Sequence, residues 1–523
     1  MATHLQVARK IVSVNPATGE ILRQFETATD TEVHATVARA RAAQPAWNAL
    51  GVQKRVSILR KFQRLLHENK SEVAALITRE AGKPVVEALL TEVVVVLDAA
   101  RFCIENAFDF LRERPVPHGN LAMKIKAGRI LREPHGVMGI ISPWNYPFSI
   151  PATESLSALV TGNAVVLKPS ELTSLNALQL ASLLHQAGVP KDVFQVVIGD
   201  GSVGTALLNS SINKLIFTGS VSTGKRIAQA AAARLLPVVL ELGGKDPMLV
   251  LDDADLDVAS SGAVWGSFMN CGQACLSIER CYVHRSLYEP FLEACVEKTK
   301  RLRVGDGSHS QTDIGPLICE RQLRNVEAHV EDARTRGARV LTGGSRLPHL
   351  GPNFYAPTVL ADVNHAMHIM RDETFGPVLP VMPFDSDDEA IRLANDSDYG
   401  LSASIWTRDR SREEALARRI EAGTVMLNDA VSCFGISEAP HGGVKASGIG
   451  HTHGHFGLEE MVRIKHVDFD RLPRMKQVWW YGYGDAFTRQ MESFVDLMFA
   501  HGLSRRLRGA VNSLGALRRR GHL

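Results

Sequence analysis

The stretch from residue 137 to residue 242 decides the fold, because it contains five short apolar runs: VMGII (137–141), AVVL (164–167), VFQVVI (193–198), KLIF (214–217) and PVVLEL (237–242). Three segments with helical spacing of apolar residues separate them, at 172–185, 203–209 and 223–233. Buried strands that alternate with helices returning the chain in one direction are typical of a parallel sheet. The stretch therefore predicts a doubly wound α/β domain.

A second alternation of candidate strands and helices follows the first along the chain. Candidate strands occupy 280–283, 378–384, 402–407 and 424–428, and candidate helices occupy 287–303 and 412–420. Before the first sheet, 30–114 is rich in Ala, Leu, Arg and Glu at helical spacing, which predicts several packed helices that end before Pro115 and Pro117. We therefore predict an α/β protein with two doubly wound domains.

Residues 122–133 predict a β-hairpin. Two short runs, 122–126 and 129–133, flank the dipeptide Ala127-Gly128, which could form a two-residue turn. Alanine is a poor fit to such a turn, because the favoured turn type needs positive φ at both central residues.

Composition excludes several classes of protein. The chain has 523 residues, of which 45% are hydrophobic and 22% charged, and a net charge of +3 at pH 7; these values argue against disorder, collagen and a nucleic-acid partner. No apolar run approaches the about 20 residues that a membrane-spanning helix needs, and the N-terminus has no signal-peptide core, so we expect a cytoplasmic protein. Seven cysteines without a C-x-x-C pair argue against disulfides and structural zinc.

Two glycine-rich strings come close to phosphate-binding motifs. Residues 219–226 fit G-x-x-x-x-G-K but lack the Ser or Thr that would bind magnesium, and 199–204 read G-D-G-S-V-G, which has the spacing of G-x-G-x-x-G. Thr218-Gly219-Ser220 nevertheless lies between a strand and a helix, where free N–H groups favour a pyrophosphate. A plain glycine-rich connection is the alternative.

Three side chains are candidates for catalysis. Cys275 directly precedes the strand that opens the second α/β unit, although a lone cysteine is more often a buried apolar residue. Glu241 places a carboxylate at a strand end, and the alternative is a solvated glutamate. Asn145 follows a strand and could donate to an oxyanion, or it could cap the turn between two prolines.

Six strings, in order and spacing, resemble the aldehyde dehydrogenase superfamily: WNYP (144–147), KPSE (168–171), FTGS (217–220), ELGGKDP (241–247), GQAC (272–275) and ETFGP (373–377). The resemblance begins at NPATGE (15–20), includes PHGGVKASG (440–448) and extends to about Val467. It implies a cofactor domain, a catalytic domain and a bridging sheet that pairs subunits into homodimers or homotetramers. We accordingly expect the NAD-binding domain at 1–114 and 135–243, the catalytic domain at 244–457, the bridging element at 115–134 and 458–471, and a tail at 472–523.

The resemblance also implies roles for individual residues. The thiolate of Cys275 would attack the aldehyde carbon, Asn145 and the Cys275 N–H would stabilise the oxyanion, and Glu241 would activate the water that hydrolyses the thioester. The implied cofactor is NAD, with NADP possible, because the Glu171 carboxylate can accept from a ribose 2′-hydroxyl but repels a 2′-phosphate. The implied cofactor-binding residues are Trp144, Lys168, Glu171, Gly219, Ser220, Glu373 and Phe375.

Two other functions are weighed against this one. A coenzyme A-acylating semialdehyde dehydrogenase would resolve the thioester with a thiol, but members of that branch commonly lack the base that Glu241 supplies. A non-enzymatic descendant of the fold is disfavoured by the joint presence of Cys275, Glu241 and Asn145. The expected substrate pocket, near Phe148, Trp265, Cys271 and the loop 431–436, is mostly apolar and favours an apolar aldehyde.

Histidines mark a departure from the family. His441 stands where the family usually has an aromatic residue, and His451, His453 and His455 follow at a spacing of two. Alternating histidines on a strand would share one face and suggest a metal, but no Cys, Asp or Glu joins them before Glu459. We favour packing within a loop and expect no metal.

The tail after Leu472 is basic and amphipathic. It contains nine Lys or Arg against three Asp or Glu, and its apolar residues recur at helical spacing on two predicted helices. Such helices either cover the protein or a partner subunit, or dock on an anionic membrane surface. The arginines after the last acid are Arg505, Arg506, Arg508, Arg518, Arg519 and Arg520.

Overall fold

The computed structural model of the chain describes residues 10–474 and 476–517. Its strands are β1 Lys10–Val14, β2 Ile21–Glu26, β3 Arg114–Val116, β4 Lys126–Pro134, β5 Val137–Ile141, β6 Ala164–Lys168, β7 Phe194–Val196, β8 Lys214–Thr218, β9 Val238–Glu241, β10 Asp246–Val250, β11 Ile278–His284, β12 Arg339–Thr342, β13 Thr358–Ala361, β14 Val378–Phe384, β15 Ser402–Trp406, β16 Thr424–Leu427, β17 Gly448–Ile449 and β18 Val462–Asp470. Its α-helices are α1 Asp30–Ala49, α2 Gly51–Glu68, α3 Lys70–Ala81, α4 Val85–Ala88, α5 Val94–Leu111, α6 Ser149–Val160, α7 Ser174–Ala187, α8 Gly201–Asn209, α9 Val221–Ala232, α10 Leu256–Phe268, α11 Tyr288–Lys300, α12 Glu320–Thr335, α13 His368–Arg371, α14 Asp387–Asn395, α15 Arg410–Ala417, α16 Gly454–Glu460, α17 Asp485–Phe499 and α18 Leu503–Leu517. The α/β fold class that the sequence predicts is confirmed.

The first sheet has six strands in the order β17-β9-β8-β5-β6-β7. All pairs are parallel except β17 with β9. The register sets Thr218 beside Glu241 at the carboxyl ends of β8 and β9. Ligand sites of open α/β sheets lie at this edge, so the sheet brings the predicted site residues to one side.

The second sheet has seven strands in the order β12-β13-β14-β11-β10-β15-β16, parallel apart from β12 with β13. The interior strand β10 was not predicted from the sequence, because Pro247 usually argues against a sheet interior. All five residues of β10 are buried, and it begins only five positions after Glu241 ends β9. The chain therefore passes from the first sheet to the second directly at the candidate site.

The predicted N-terminal helices are present as α1, α2, α3, α4 and α5, and local signals explain where they begin. Thr29 and Glu32 form a capping box at the start of α1. In α2, Val56, Leu59 and Phe62 recur at three-residue spacing and are all buried. This spacing gives the helix one apolar face, which packs into the core.

The chain divides into two compact units. The larger contains the described residues up to Phe110 and from 134 to 463, and holds both large sheets; the smaller contains 111–133 and the described residues from Ile464 onward. The division of the larger unit into a cofactor domain and a catalytic domain stays a prediction.

The predicted hairpin at 122–133 is wrong. Residues Leu121–Ile125 form a 3₁₀ helix, whose start is capped by the Asn120 side chain accepting from the Ala122 N–H at 3.0 Å. Ala127-Gly128 lies inside strand β4, where Gly128 pairs with Val116 of β3. Neither residue adopts the positive φ that the turn requires, so the chain stays extended through them.

The two predicted tail helices are α17 and α18, which pack antiparallel. A Cβ added at Gly509 would meet the backbone of Ser493 and Leu497 at 2.5 Å, so the glycine allows the helices to approach closely. Outward side chains remain exposed, among them Phe499, Leu503 and Leu507. Arg518, Arg519 and Arg520 lie outside the described residues, and within the described part of the chain no helix is long and apolar enough to cross a membrane.

Candidate active site

A strained turn holds Cys275 in place. Between α10 and β11, Asn270 and Cys271 adopt left-handed φ values of 52° and 57°, which cost energy for residues other than glycine. Gly272 follows at φ 69°, and a Cβ there would meet the Gly376 carbonyl at 2.1 Å. The Asn270 N–H donates to the Glu87 carboxylate at 2.9 Å. These constraints fix the backbone that carries Cys275.

Cys275 lies where two clefts of about 240 Å³ each meet. Its side chain lines both, together with Ile150. Cys271, four residues earlier, is 1% exposed and lines neither cleft. The geometry therefore favours Cys275 as the cysteine that meets a ligand.

The first cleft is polar and brings together most of the predicted cofactor-binding residues. Its lining includes Trp144, Asn145, Gly219, Ser220, Glu373 and Phe375. Lys168 and Glu171 are not among its lining residues; they lie at and just beyond the end of β6, with 3.5 Å between Lys168 Nζ and Glu171 Oε2. Lys168 is buried, and burial lowers the pKa of its ammonium, an effect that the nearby Glu171 carboxylate opposes.

The residues of this cleft fit a dinucleotide. Ser220 is the N-cap of α9, and its hydroxyl accepts from the Thr223 N–H, so the helix begins with its free N–H groups at the cleft. A Cβ at Gly219 would meet the Phe217 ring at 2.6 Å, and one at Gly243 would meet the Glu373 carboxylate at 2.4 Å. The two glycines thus allow the Phe217 ring and the Glu373 carboxylate to pack directly against the backbone that borders the cleft. Nothing in this lining conflicts with NAD or NADP.

Asn145 is 4% exposed and faces the polar cleft beside Cys275. Its amide nitrogen donates to the Gln273 carbonyl at 3.1 Å, which ties it to the turn that carries the cysteine. The Asn270 amide in turn donates to the Asn145 carbonyl at 3.1 Å. An amide NH₂ has two hydrogens, so one remains available to a substrate oxygen.

The environment raises the pKa of both Glu241 and Cys275. Burial raises the pKa of the Glu241 carboxyl, and the charge of Glu154 adds to the shift. Burial likewise raises the pKa of the Cys275 thiol, with further contributions from the Asp246, Glu373 and Glu241 carboxylates. A thiolate therefore forms at Cys275 only when a base takes its proton.

The second cleft is apolar and corrects part of the predicted substrate pocket. Trp265, Val431 and Phe434 line it as expected. Phe148 is fully buried and Cys271 nearly so, and neither lines the cleft, because both side chains face the core. The sequence analysis missed eight lining residues. Three of them lie in the segment around α4 and α5, whose spacing indicated only helix packing. The eight are Leu90, Thr91, Val95, Tyr146, Ile150, Met269, Ala274 and Leu276.

A third cleft of about 400 Å³ continues from the apolar one. The two share Leu90, Trp265 and Met269. The apolar cleft has no charged lining residue, whereas the third cleft has Glu87, Lys298 and Asp313 among mostly apolar neighbours. Together they form an extended, largely apolar path leading to Cys275.

The histidine-rich stretch does not form the strand that a shared metal face would need. His451 is exposed, the Nε2 of His453 is buried, and His455 lies in α16 with its ring 5.9 Å from that of Phe102. The three side chains therefore point to different environments, His451 and His453 from the loop before α16 and His455 from the helix itself. Across residues 10–474 and 476–517, no group of three His, Cys, Asp or Glu side chains is arranged to hold a metal ion.

Comparison with known proteins decides the family. The sequence profile described as "Aldehyde dehydrogenase family" matches residues 4–467. The chain belongs to the aldehyde dehydrogenase family. The resemblance inferred from the six strings is thereby confirmed, and the α/β fold class agrees with that of the solved relatives.

Relatives of this aldehyde dehydrogenase differ in substrate. The chain is 39% identical over 489 residues to the 4,4′-diapolycopene aldehyde oxidase of a Methylomonas species, covering 94% of this chain and 91% of that one. Among solved structures, the NAD⁺ complex of the Bacillus cereus aldehyde dehydrogenase has a TM-score of 0.84 at 35% identity, covering 88% of this chain and 93% of the other. The Burkholderia pseudomallei succinate-semialdehyde dehydrogenase has a TM-score of 0.84 at 36% identity, covering 88% and 95%.

Proposed function

We propose that this aldehyde dehydrogenase oxidises an apolar aldehyde to the free carboxylic acid through a covalent intermediate on Cys275, with NAD as the preferred cofactor. The observation that carries the proposal is the position of Cys275 between a polar cleft suited to a dinucleotide and an apolar cleft suited to a hydrocarbon chain. Glu241 borders the cysteine from a third side, in a small cavity lined by both residues.

The first step is attack of the thiol on the aldehyde. Glu241 takes the Cys275 proton, and the sulfur adds to the carbonyl carbon to form a thiohemiacetal oxyanion. The free amide hydrogen of Asn145 and the Cys275 N–H stabilise that oxygen. Burial strengthens these interactions, because water competes less in a low dielectric.

The second step leaves an acid. A bound cofactor would supply the hydride acceptor, and loss of hydride converts the thiohemiacetal on Cys275 to a thioester. Once the proton taken from Cys275 has passed from Glu241 to solvent, Glu241 removes a proton from water, the hydroxyl adds to the thioester carbon, and the Cys275 sulfur leaves. The presence of this base supports a hydrolytic enzyme over a coenzyme A-acylating one.

The substrate assignment rests on the apolar path. The cleft at Cys275 lacks any Lys or Arg in its lining. Lys83, whose Nζ lies 3.8 Å from the Tyr146 ring centroid, is fully buried and paired with Glu92 at 2.7 Å, so it is not free to bind a substrate carboxylate. The named substrate of the Methylomonas relative, diapolycopene aldehyde, is a long apolar molecule, which supports the same class here.

A panel of aldehydes tests the assignment. We expect kcat/KM for long aliphatic or polyene aldehydes to exceed that for ω-carboxylated aldehydes of similar length by about 100-fold, since an unpaired carboxylate in an apolar cleft costs about 3 kcal/mol or more. Run with both cofactors, the panel should favour NAD over NADP, because the Glu171 carboxylate repels a 2′-phosphate. A higher kcat/KM for succinate semialdehyde than for any apolar aldehyde would contradict the substrate assignment, and a higher kcat/KM with NADP would contradict the cofactor preference.

We also propose assembly through the smaller compact unit. Ile464 and Phe469 of β18 are about half exposed, as is Leu472 just beyond it. Such exposed apolar side chains support burial against another subunit, and the family resemblance implies a homodimer or homotetramer.

A further proposal concerns the tail, which we infer docks on anionic membrane surfaces. Exposed apolar residues of α17 and α18 adjoin Arg505, Arg506 and Arg508, a combination that suits the boundary between acyl chains and acidic headgroups. The exposed apolar residues are Val495, Phe499, Leu503, Leu507, Val511 and Leu514.

Vesicle co-sedimentation tests whether the tail binds anionic membranes. We expect the full chain to sediment with phosphatidylserine-rich vesicles at low salt and to be released by about 1 M salt, which shortens the Debye length to about 3 Å. A matched variant with Leu503, Leu507 and Val511 changed to Gln should stay in the supernatant. Equal recovery of both proteins in the supernatant would contradict membrane docking.

A further inference from the structure

A loop at 372–377 borders the polar cleft and carries two of the predicted cofactor-binding residues. Glu373 and Phe375 both line the cleft, whereas Thr374 between them is 2% exposed. Phe375 holds a left-handed φ of 54°, which costs energy for a side chain of this size. Its ring also packs edge-on against Trp144, with 5.4 Å between the ring centroids. A strained backbone of this kind persists only where the surrounding structure holds it.

The carboxylate of Glu279 holds the backbone of this loop. Its Oε2 accepts from the Thr374 N–H at 2.8 Å, and its Oε1 accepts from the Phe375 N–H at 2.8 Å. Glu279 is buried, so water competes little for these hydrogen bonds to a charged acceptor. The loop lies outside the strands, and its N–H groups need partners other than a neighbouring strand. One carboxylate therefore satisfies two successive N–H groups, including that of the strained residue.

Lys245 supplies the opposite charge to this carboxylate. Its Nζ lies 2.5 Å from Glu279 Oε2 and donates to the Thr374 hydroxyl at 3.3 Å. The Lys245 side chain is fully buried, and burial lowers the pKa of its ammonium, an effect that the charge of Glu279 opposes. A buried ion pair needs good geometry and additional hydrogen bonds to offset the loss of water. Here the two loop N–H groups provide those additional hydrogen bonds.

Side chains of α12 hold the carbonyl groups of the same loop. Gln322 Nε2 donates to the Thr374 carbonyl at 3.0 Å and to the Phe375 carbonyl at 2.9 Å. Asn325 Nδ2 donates to the Thr374 carbonyl at 3.1 Å. Gln322 and Asn325 also line the polar cleft, whereas Glu279 does not. Glu279 is therefore the member of this set that acts on the loop without facing the cleft.

The second sheet explains why a glutamate points at the loop. Glu279 is the second residue of β11, and Lys245 directly precedes the neighbouring strand β10. The register of this strand pair skips Glu279, because Ile278 pairs with Asp246 and Arg280 pairs with the next residue of β10. An extra residue of this kind is a β-bulge, which re-aims a side chain and often occurs beside an active site.

The position of this pair along the chain connects the loop to the reacting residues. Glu279 stands four residues after Cys275, and Lys245 stands four residues after Glu241. Because the pair contacts the loop from both segments, it restrains the loop relative to the candidate nucleophile and the candidate base.

We propose that Glu279 is a positioning residue for the cofactor: paired with Lys245, it fixes the 372–377 loop so that Glu373 and Phe375 face the dinucleotide. The proposal rests on the proposed function, because it takes the polar cleft to be the cofactor site. A loop that is already held in its binding conformation gives tighter binding, since the apparent Kd rises as the competent fraction of the protein falls.

Calorimetric titration with NAD tests this role. In Glu279→Gln, the amide oxygen can accept from one loop N–H, but the amide NH₂ faces the other, so one hydrogen bond is lost. We expect the Kd for NAD to rise by about 10-fold or more, the scale of a lost hydrogen bond to a charged group. The KM for NAD should rise with it. The KM for an apolar aldehyde should change little, because neither Glu279 nor the loop lines the apolar cleft.

A second variant separates positioning from stability. Glu279→Gln leaves the Lys245 ammonium buried without its charged partner, which lowers stability. The double variant that adds Lys245→Met removes this charge. We expect its thermal midpoint to recover toward that of the wild type while the Kd for NAD stays raised. If the single variant does not fold, the double variant decides alone.

Glu92 offers a matched control. Its buried carboxylate also accepts from two successive backbone N–H groups, those of Phe148 at 2.8 Å and Ser149 at 2.9 Å. It also pairs with a buried lysine, Lys83, at 2.7 Å. None of these four residues lines the polar cleft. Glu92→Gln, alone and with Lys83→Met, should lower the thermal midpoint as the test variants do and leave the Kd for NAD unchanged.

Three results would overturn the positioning role. They are an unchanged Kd for NAD in both Glu279 variants, a Kd that returns to the wild-type value in the double variant, and an equal rise in Kd in the control. The second result would assign the effect to the unpaired lysine, and the third would assign it to a general loosening of the fold. A wild-type protein that binds neither NAD nor NADP would instead reject the proposed function itself.

Discussion

The Cys275→Ser variant is expected to lose aldehyde oxidation by about 10⁴-fold or more, the scale seen when a catalytic nucleophile is removed. A serine hydroxyl stays protonated near neutral pH and is a far weaker nucleophile than a thiolate. Cofactor binding should persist, because the polar cleft is built mainly from other residues. Turnover is measured as NADH formation, and cofactor binding is measured by calorimetry on the same protein.

Cys271→Ser is the matched control for that variant. Cys271 lies four residues earlier in the same turn, but it is buried and lines neither ligand cleft. We expect this variant to retain turnover within a few-fold of the wild type. An inactive Cys271→Ser together with an active Cys275→Ser would show that the assignment of the nucleophile is wrong.

The Glu241→Gln variant is expected to lower kcat by about 10²- to 10⁴-fold, the usual range for loss of a general base. Hydrolysis should suffer most, since glutamine cannot take a proton from water. In the wild type, Glu241 acts as a base only when deprotonated, and burial raises the pKa of its carboxyl. Wild-type kcat should therefore increase as the pH rises through the raised pKa of Glu241, and it should be low at pH values below that pKa. In the Glu241→Gln variant, this rise of kcat with pH should be absent. If the variant still shows it, the general base is a residue other than Glu241.

The sheets were predictable because their strands are buried on both faces. Strands such as Val137–Ile141 have every residue buried, which produces an uninterrupted apolar run in the sequence. Strand β10 was not predicted because Pro247 interrupts its apolar pattern, while tertiary packing still places it between β11 and β15 in the interior of the sheet. The hairpin at 122–133 was wrongly predicted for the opposite reason: two short runs fitted a local pattern that the Asn120 cap and the pairing of Gly128 with Val116 override.

Site residues that stand in short sequence motifs were predictable, whereas residues that the fold brings to the site from distant segments were not. Asn145, Glu241 and Cys275 stand in strings with fixed spacing, and the fold brings them around the junction of the clefts and cavities. Leu90 and Val95 line the apolar cleft from the N-terminal helices, about 180 residues from Cys275, and no local pattern links them to it. His441 and His453 were visible as unusual residues, but their approach to Glu241 depends on the loop before α16.

The most direct test of the central claim is the mass of the Cys275 peptide. Glu241→Gln is mixed with an apolar aldehyde and NAD, quenched in acid and digested. A thioester formed on Cys275 and no longer hydrolysed efficiently should add the mass of the acyl group to the peptide that contains this residue, in near-stoichiometric amount. The adduct should be absent without NAD and absent in Cys275→Ser. NADH formation without any acyl adduct on Cys275, or an adduct on another residue, would contradict the account.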